Sequence, residues 1–260
     1  MIPVFPGTNC EYETARAFKK AGFDTRVVVI RTGSAELLNA SVAEFTAAMN
    51  NAQVLFIPGG FSNSDEPDGS GKFIASFLKN ADCRAAVEGL LSRKGLIGGI
   101  CNGFQALVRT GLLPYGEFRE ATSDMPVLAG NLIGRHQSRV VRIKAIRNVS
   151  PWFALTEPGK TYLVPISHGE GRFTATEEEL EKLMKNGQIL TAYADENGVP
   201  TMDIDCNPNG SMWAIEGVCS PDGRIFGKMG HSERIGDGLY KNLPGEYDMR
   251  LFEAARRYFE

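Results

Sequence analysis

The sequence has no excess of basic residues and no long hydrophobic run, and these absences argue against two classes of partner. Lysine and arginine total 28, against 31 aspartate and glutamate residues, which gives a formal charge of −3. We expect no nucleic-acid partner, because such a chain has no surplus cations to neutralise phosphates. No apolar run approaches the roughly 18 residues of a bilayer-spanning helix, and the start does not have the pattern of a signal peptide. We therefore expect no membrane partner.

The sequence also lacks paired cysteines. Its five cysteines are odd in number and widely scattered, and no two of them have C-x-x-C spacing. This pattern argues against both a disulfide framework and a structural zinc site, so we predict no metal. Scattered thiols fit a reducing cytoplasm. The cysteines are Cys10, Cys83, Cys101, Cys206 and Cys219.

The composition is that of an ordinary globular protein, with 43% hydrophobic and 23% charged residues in 260. This length fits one large domain over residues 1–260 better than two. In the first two-thirds, short apolar segments alternate with segments of helical spacing, which predicts an α/β fold. We expect a mostly parallel central sheet with helices on both faces, and ligands at the carboxyl ends of its strands.

In this first part, Thr25–Ile30 is almost entirely apolar, so we expect that strand to be buried on both faces. The predicted strands are Ile2–Phe5, Thr25–Ile30, Val54–Ile57 and Leu96–Ile100. The predicted helices are Glu11–Ala21, Val42–Met49, Lys72–Leu78, Cys83–Leu91 and Phe104–Thr110.

The last part of the chain predicts an antiparallel extension, because turn signals separate several of its apolar segments. A charged surface helix is predicted over Glu177–Lys185 and a closing helix over Tyr247–Phe259. The predicted strands are Val140–Ile146, Tyr162–Ile166, Ile189–Tyr193, Met212–Val218 and Ile225–Met229.

The most informative motif joins a strand, a cysteine and a helix. Residues 95–108 read GLIGGICNGFQALV, which places Gly99 and Gly103 two residues on either side of Cys101. This is the pattern of a nucleophile elbow, whose sharp turn crowds these two positions. We expect the turn to push the sulfur out above the sheet, and the helix N-terminus to favour its thiolate. The N–H of Asn102 can then face an oxyanion. The alternative is an inert cysteine buried between strand and helix.

A nucleophilic cysteine needs a base, and the chain has three histidines. His231 follows an apolar strand and is followed by Glu233, which can hold the imidazole from its far nitrogen. His168 has the same H-x-E spacing with Glu170, so the residues alone leave the two histidines evenly matched. His136 has no such carboxylate.

Gly60 ends the strand that precedes the elbow. Together with Gly59 it forms a glycine pair, which lets backbone N–H groups approach a ligand. A second oxyanion donor at Gly60 and a plain glycine turn are both compatible with this pattern.

Together these segments resemble a known family, the class I or triad glutamine amidotransferases. More narrowly, they are similar to the glutaminase domain or subunit of phosphoribosylformylglycinamidine synthase, which acts in purine biosynthesis. The GICNGFQ and HGEGRF segments are specific to this member. The matching segments are VFPGTNCEYETARAF at 4–18, PGGFS at 58–62, GICNGFQALVRTGLLP at 99–114, SHGEGRF at 167–173 and GKMGHSER at 227–234.

The resemblance implies a flavodoxin-like amidotransferase fold and a role for each matching residue. Cys101, His231 and Glu233 match the catalytic triad, so His168 becomes a binding or coupling residue. The remaining matches are Gly60 and Asn102 to the oxyanion-hole donors, Gln105 to a contact of the substrate glutamine, and Ser167, His168 and Gly169 to the segment that holds the amino-acid end of glutamine.

The implied reaction is hydrolysis of L-glutamine to glutamate and ammonia through a cysteine thioester. The ammonia is used by a synthase domain or subunit that amidates formylglycinamide ribonucleotide. ATP and magnesium are expected on that partner, and no cofactor is expected in this domain. Two other functions share the elbow: a cysteine hydrolase or chaperone-like protein of the DJ-1/PfpI type, and a non-catalytic docking subunit.

The sequence departs from the family pattern in two places. Ser232 stands where the usual motif is His-Pro-Glu, which keeps the spacing but loses the ring that stiffens the turn. The loop SNSDEPDGSGKF at 62–73 is longer and more acidic than in the short stand-alone subunits. Because that loop resembles versions fused to a synthase, and because the chain starts directly in a strand, we expect a domain excised from the C-terminus of a longer chain, with a separate subunit as the alternative.

Overall fold

Strands and helices alternate along the first half of the chain, as the sequence predicts. The computed structural model describes residues 1–61, 69–236 and 238–260. The strands are β1 (Ile2–Val4), β2 (Val27–Val29), β3 (Val54–Ile57), β4 (Leu96–Ile100), β5 (Val127–Gly130), β6 (Gln137–Ala145), β7 (Thr161–His168), β8 (Glu170–Thr174), β9 (Ile189–Tyr193), β10 (Ile215–Cys219) and β11 (Ile225–Lys228). The helices are α1 (Glu11–Lys20), α2 (Ala35–Asn50), α3 (Lys72–Leu78), α4 (Ala81–Ser92), α5 (Asn102–Thr110), α6 (Leu112–Tyr115), α7 (Glu177–Lys185) and α8 (Leu251–Arg257).

The main sheet has the strand order β3-β4-β11-β10-β9-β6-β7. Its parallel part is β3, β4 and β11, with β4 in the middle. The sheet continues from β11 through four antiparallel strands. On the other side β1 lies next to β3, where the Phe56 N–H donates to the Met1 carbonyl at 3.0 Å. The predicted parallel core with an antiparallel extension is confirmed.

Glycines in β4 let the two faces of the sheet pack differently. A Cβ at Gly98 would lie 2.6–2.7 Å from the rings of Phe226 and Phe56, so this face is filled by aromatic side chains. Phe56 in turn packs against Trp152 and Phe252, with ring centroids 5.7 and 5.6 Å apart. Burial of each such ring stabilises the fold by about 1.5–3 kcal/mol. The opposite face carries α5, and the site lies at one end of that helix.

Several predicted elements differ from the structure. Thr25–Ile30 shortens to β2, and Val27 and Val29 are 43% and 53% exposed, so the expected burial on both faces is wrong. The reason is that, among the described residues, β2 pairs only with β1 and has one face in solvent. The closing helix begins only at Leu251, because Arg250 adopts a left-handed conformation with φ 57°.

The antiparallel pair β5–β8 was missed by the sequence analysis, since its strands are short and contain glycine. Within the described residues, no helix combines the length and apolar character needed to cross a bilayer. Of the acidic loop at 62–73, residues 62–68 lie outside the described part of the chain.

Candidate active site

Cys101 occupies the turn between β4 and α5, as the elbow motif predicts. Its backbone has φ 53° and ψ −107°, a strained conformation for a residue with a side chain. The Cys101 N–H donates to the Lys228 carbonyl at 2.9 Å, which ties the turn to the end of β11. The surrounding structure therefore holds Cys101 in a backbone conformation that is unfavourable for a residue with a side chain.

The two elbow glycines are required by crowding, as predicted. A Cβ at Gly99 would lie 2.7 Å from the carbonyl carbon of Gly103, so these positions touch each other across the turn. A Cβ at Gly103 would lie 2.1 Å from the Ile57 carbonyl oxygen. Only glycines allow α5 to start this close to β3 and β4.

We expect Gly103→Ala to lower the free energy of unfolding by about 1–3 kcal/mol, the usual cost of overpacking against a rigid backbone. Alanine favours a helix over glycine by about 1 kcal/mol, which only partly offsets the clash. Denaturant unfolding measures the change. Gly130→Ala is the matched control, because a Cβ there meets nothing within 4 Å. Equal stability of the two variants would contradict the crowding argument.

The sulfur of Cys101 is more enclosed than expected. The elbow is predicted to push the sulfur out above the sheet, but Cys101 is only 4% exposed, so other parts of the chain cover it there. The end of β7 covers it, where the thiol donates to the Ser167 carbonyl oxygen at 3.6 Å. The sulfur nevertheless has polar neighbours, which distinguishes it from an inert core cysteine.

His231 lies beside Cys101 because β11 runs parallel to β4, with Lys228 in register with Ile100. A Cβ on Gly59 would touch both residues, at 2.7 Å from His231 Cε1 and 3.4 Å from Cys101 Cβ. His231 is 1% exposed and its Nδ1 donates to Glu233 Oε1 at 2.6 Å. Among the described residues, the other ring nitrogen, Nε2, is buried and makes no hydrogen bond of ordinary length.

The surroundings of His231 favour its protonated form. Burial alone lowers the pKa of the imidazole, but the carboxylate of Glu233 and the thiols of Cys10 and Cys101 outweigh it and raise the pKa well above its ordinary value. Burial opposes ionisation of Glu233, yet the His231 charge lowers the pKa of its carboxyl group. The pair therefore stores a proton next to Cys101.

His168 has a different environment, although its sequence spacing is the same. Its Nδ1 faces the Asn131 Oδ1 at 3.2 Å, and the ring packs over Gly171. Burial, followed by the charges of His231 and His136, lowers the pKa of His168 to about 3. His168 is thus neutral at physiological pH, while His136 lies at the surface with Nε2 3.0 Å from the Ser167 hydroxyl.

The predicted oxyanion donors lie at the ends of adjacent strands. Gly60 follows β3, and Asn102 follows Cys101 as the first residue of α5. Gly60 has φ 151°, and a Cβ there would lie 2.6 Å from the Gly7 carbonyl oxygen. This crowding alone accounts for the glycine, so the role of Gly60 as an oxyanion donor stays a prediction.

Gln105 links α5 to the segment after β7. Its Oε1 accepts from Asn102 Nδ2 at 2.9 Å, and its Nε2 donates to the Glu170 carbonyl oxygen. Ser167, His168 and Gly169 lie directly before this contact, so all the predicted glutamine-binding residues meet at one place. Because both polar atoms of the Gln105 amide are engaged within the protein, its contact with substrate glutamine stays a prediction.

Cys10, which the sequence places in a strand-end loop, borders the site. Its sulfur lies 3.8 Å from His231 Nδ1 and accepts from the Arg234 guanidinium at 2.9 Å. Cys10, His231 and Glu233 offer atoms of the kind that bind metals, all within 4.8 Å of one another. The guanidinium on the sulfur and the bond between Nδ1 and the carboxylate compete with a cation there. That no metal is needed stays a prediction.

Sequence reasoning did not identify Arg234, Asn131 or Lys228 as parts of the site. Arg234 sits in the matched segment GKMGHSER, but nothing in its spacing predicts a bond to Cys10, 224 residues away. Asn131 donates to the His168 carbonyl at 2.9 Å from the end of a strand that was not predicted. Lys228 lies in a strand pattern, where a charged residue is usually exposed.

Comparisons with known proteins find similar sequences and a similar fold. A family model described as a CobB/CobQ-like glutamine amidotransferase domain matches residues 1–259. The chain is 38% identical over 254 residues to the phosphoribosylformylglycinamidine synthase subunit PurQ of Methanococcus maripaludis, covering 96% of this chain and 86% of that protein. It is 34% identical over 253 residues to the subunit of the same name from Gloeobacter violaceus, covering 97% and 94%.

A solved structure from Thermotoga maritima, described as the structure of PurLQS, superposes with a TM-score of 0.70. The match covers 100% of this chain and 97% of that one at 24% identity, so it bears on the fold. It confirms the predicted fold, in which a largely parallel core carries helices on both faces.

Proposed function

The chain belongs to the family of CobB/CobQ-like glutamine amidotransferase domains, and from this premise we propose that it hydrolyses L-glutamine to glutamate and ammonia. The ammonia serves the amidation of formylglycinamide ribonucleotide in purine biosynthesis, because relatives at 38% and 34% identity are subunits of phosphoribosylformylglycinamidine synthase. One observation carries the proposal. The strained elbow at Cys101 and the pair of His231 with Glu233 lie at the ends of two neighbouring parallel strands.

In the first half of the reaction, the Cys101 thiolate attacks the side-chain amide carbon of glutamine. The carbonyl oxygen becomes an oxyanion, for which the N–H groups of Gly60 and Asn102 are the proposed donors. When the tetrahedral intermediate collapses, the C–N bond breaks and His231 gives its proton to the leaving nitrogen, which departs as ammonia. A γ-glutamyl thioester remains on Cys101.

In the second half, neutral His231 accepts a proton from water as the water attacks the thioester carbon. The C–S bond breaks, glutamate leaves, and the thiolate faces an imidazolium again. Glu233 holds Nδ1 throughout, so the other ring nitrogen is directed to the reacting atoms. The raised pKa of His231 fits this cycle, because it keeps the proton on the imidazole until the leaving group needs it.

The proposed partner is a synthase domain or subunit that consumes the ammonia, with ATP and magnesium bound there. The relatives' description as subunits supports such a partner. A place in the cytoplasm agrees with five free thiols. A position at the C-terminus of a longer synthase chain stays part of the proposal, and mass analysis of the natural gene product tests it.

We expect slow glutamate release by the chain alone and at least about a tenfold increase when its ammonia-using partner and the acceptor nucleotide are added, since closure of a site assembles its catalytic groups. Glutamate is measured enzymatically with and without partner. Fast release by the chain alone, unchanged by the partner, would contradict the coupling, and absence of glutamate in both arms would contradict the glutaminase.

The two other functions require fewer of the features seen at this site. A DJ-1/PfpI-type hydrolase or chaperone-like protein does not require the Gln105 contact or the glutamine-holding segment, and a docking subunit requires no stored proton beside Cys101. The family match over residues 1–259 and the imidazole–carboxylate bond both favour the glutaminase.

A further inference from the structure

A fully buried ion pair lies directly beneath the turn that carries His231. Lys228 ends β11 and Glu216 lies on β10, and both side chains are 0% exposed. The Lys228 Nζ lies 3.2 Å from Glu216 Oε1. Removing two charges from water is costly, and an apolar pair of similar volume often serves stability equally well. Stability alone therefore does not explain why these two residues occupy the core.

The other contacts of the pair all involve the turn or its support. The Lys228 ammonium donates to the Gly230 carbonyl and to the Ser232 hydroxyl, each at 3.1 Å. The Glu216 carboxylate accepts from the Gly230 N–H at 2.6 Å and from the Thr191 hydroxyl at 2.5 Å. The side chains of Lys228 and Glu216 thus hold Gly230 and Ser232, the residues on either side of His231.

The ammonium has three hydrogens, and Glu216, Gly230 and Ser232 accept all three. Gly230 has no space for a side chain, since a Cβ there would lie 2.6 Å from Val164 and 2.9 Å from Glu216 Oε1. The backbone of His231 is fixed from the other side, where its N–H donates to the Pro165 carbonyl at 2.8 Å. Together these bonds restrain the turn on both sides of His231.

The residue type at position 232 explains why Lys228 is needed beneath this turn. A proline between the histidine and the glutamate would fix φ of the turn through its ring. Serine leaves φ free, but its hydroxyl offers an acceptor that proline lacks, and Lys228 uses it. In this chain a side-chain bond restrains the turn where a ring is absent.

We propose that Lys228 and Glu216 are positioning residues that fix the His231–Glu233 pair against Cys101 by holding Gly230 and Ser232. This inference rests on the proposed glutaminase function. Neither side chain touches the reacting atoms in the proposed mechanism, so they act through the placement of the imidazole. Misplacing a catalytic group by about 1 Å can lower a rate by about 100-fold, which makes such a restraint worthwhile.

The test replaces both members together, since removing one would leave an unpaired buried charge. In the variant Lys228→Met/Glu216→Gln, we expect kcat for glutamine hydrolysis to fall about 10- to 100-fold. The KM for glutamine should change less than about threefold, because the residues that hold glutamine lie elsewhere. Both constants are measured with the synthase partner present.

A second readout separates positioning from loss of stability. In the double variant the contact between His231 and Glu233 is loosened, so burial becomes the dominant influence and the pKa of His231 falls. The alkaline limb of the pH–rate profile therefore moves to lower pH. Gln188→Met is the matched control, because Gln188 is buried and donates to the carbonyls of Pro114 and Cys219 at 2.7 and 2.8 Å. It should lower the melting temperature without changing kcat or the pH limb.

Should the double variant fail to fold, Ser232→Ala decides the question. It removes one acceptor of the ammonium and leaves the ion pair in place, and we expect a fall in kcat of about 3- to 10-fold with KM unchanged. Wild-type kcat in a folded double variant or in Ser232→Ala, or a loss no larger than that of Gln188→Met, would overturn the inference. Absence of glutamate release by the wild-type protein would instead overturn the proposed function.

Discussion

Replacing Cys101 by alanine is expected to lower glutamine hydrolysis by at least about 10⁴-fold, the scale seen when a triad enzyme loses its nucleophile. Alanine keeps the Cβ, so the strained turn and its bond to Lys228 persist and the protein should unfold at nearly the same denaturant concentration. Glutamate release and denaturant unfolding measure the two effects. A glutamine-analogue electrophile should label the wild-type protein at Cys101 and leave the variant unlabelled.

The other cysteines provide the control for this experiment. Burial, followed by the charges of Asp82 and Asp222 respectively, raises the pKa of the Cys83 and Cys219 thiols to about 12. Neither can form a thiolate at neutral pH, so Cys83→Ala should retain full activity and labelling. Labelling that persists in Cys101→Ala, or activity lost in Cys83→Ala, would contradict the assignment of the nucleophile.

The elbow could be predicted from sequence because its constraints are local. Gly99 and Gly103 lie two residues from Cys101, and the turn makes them touch whatever the rest of the fold does. The strand before it and the helix after it follow from apolar periodicity alone. Five elements have the predicted bounds: Val54–Ile57, Leu96–Ile100, Lys72–Leu78, Glu177–Lys185 and Ile189–Tyr193.

The choice between the two histidines depends on the fold, so spacing did not decide it. His168 and His231 each have a glutamate two residues on, yet only Glu233 bonds its histidine. His168 ends β7, and Glu170 instead accepts from the Ser70 N–H at 3.1 Å. The order of strands places β11 next to β4, and that order is a property of the whole sheet.

Burial was the other property that the sequence did not reveal. The elbow geometry predicts where the sulfur lies, but the cover over it comes from Ser167, far along the chain. Lys228 likewise has the pattern of a strand residue, and its burial requires Glu216 from the neighbouring antiparallel strand. Such pairings arise when distant segments meet, so single-residue propensities do not report them.

Replacing His231 by alanine is expected to lower turnover by about the same factor as loss of Cys101, since nucleophile and base act as one unit. Without the imidazole, the leaving nitrogen receives no proton and the thiol loses its stored counter-charge. Replacing His168 by alanine should lower kcat by less than about tenfold, the scale of a lost neutral hydrogen bond near a site. Rapid-quench trapping of the γ-glutamyl thioester distinguishes the two variants.

The pKa directions explain why the roles should not be exchangeable. The imidazole beside Cys101 must carry a proton at neutral pH in order to give it to the leaving nitrogen. The raised pKa of His231 meets this need, whereas the pKa of His168, lowered to about 3, leaves that ring without the proton. The linked stabilities have opposite signs. His231 stabilises the fold at low pH, and that contribution is lost as pH rises through its folded pKa. His168 destabilises the fold as pH falls from 6.5 toward about 3, because in this range its imidazole binds a proton in the unfolded chain but stays neutral in the folded chain.

His168→Ala should therefore reduce the loss of stability between pH 6 and pH 4, a window that lies between those two values for His168, while keeping the thioester. His231→Ala should abolish the thioester at every pH. Urea unfolding at a series of pH values, run beside the trapping experiment on both variants, measures the two effects together. A thioester that survives His231→Ala and disappears in His168→Ala would make His168 the base. The position of His231 beside Cys101 would then not identify the catalytic histidine.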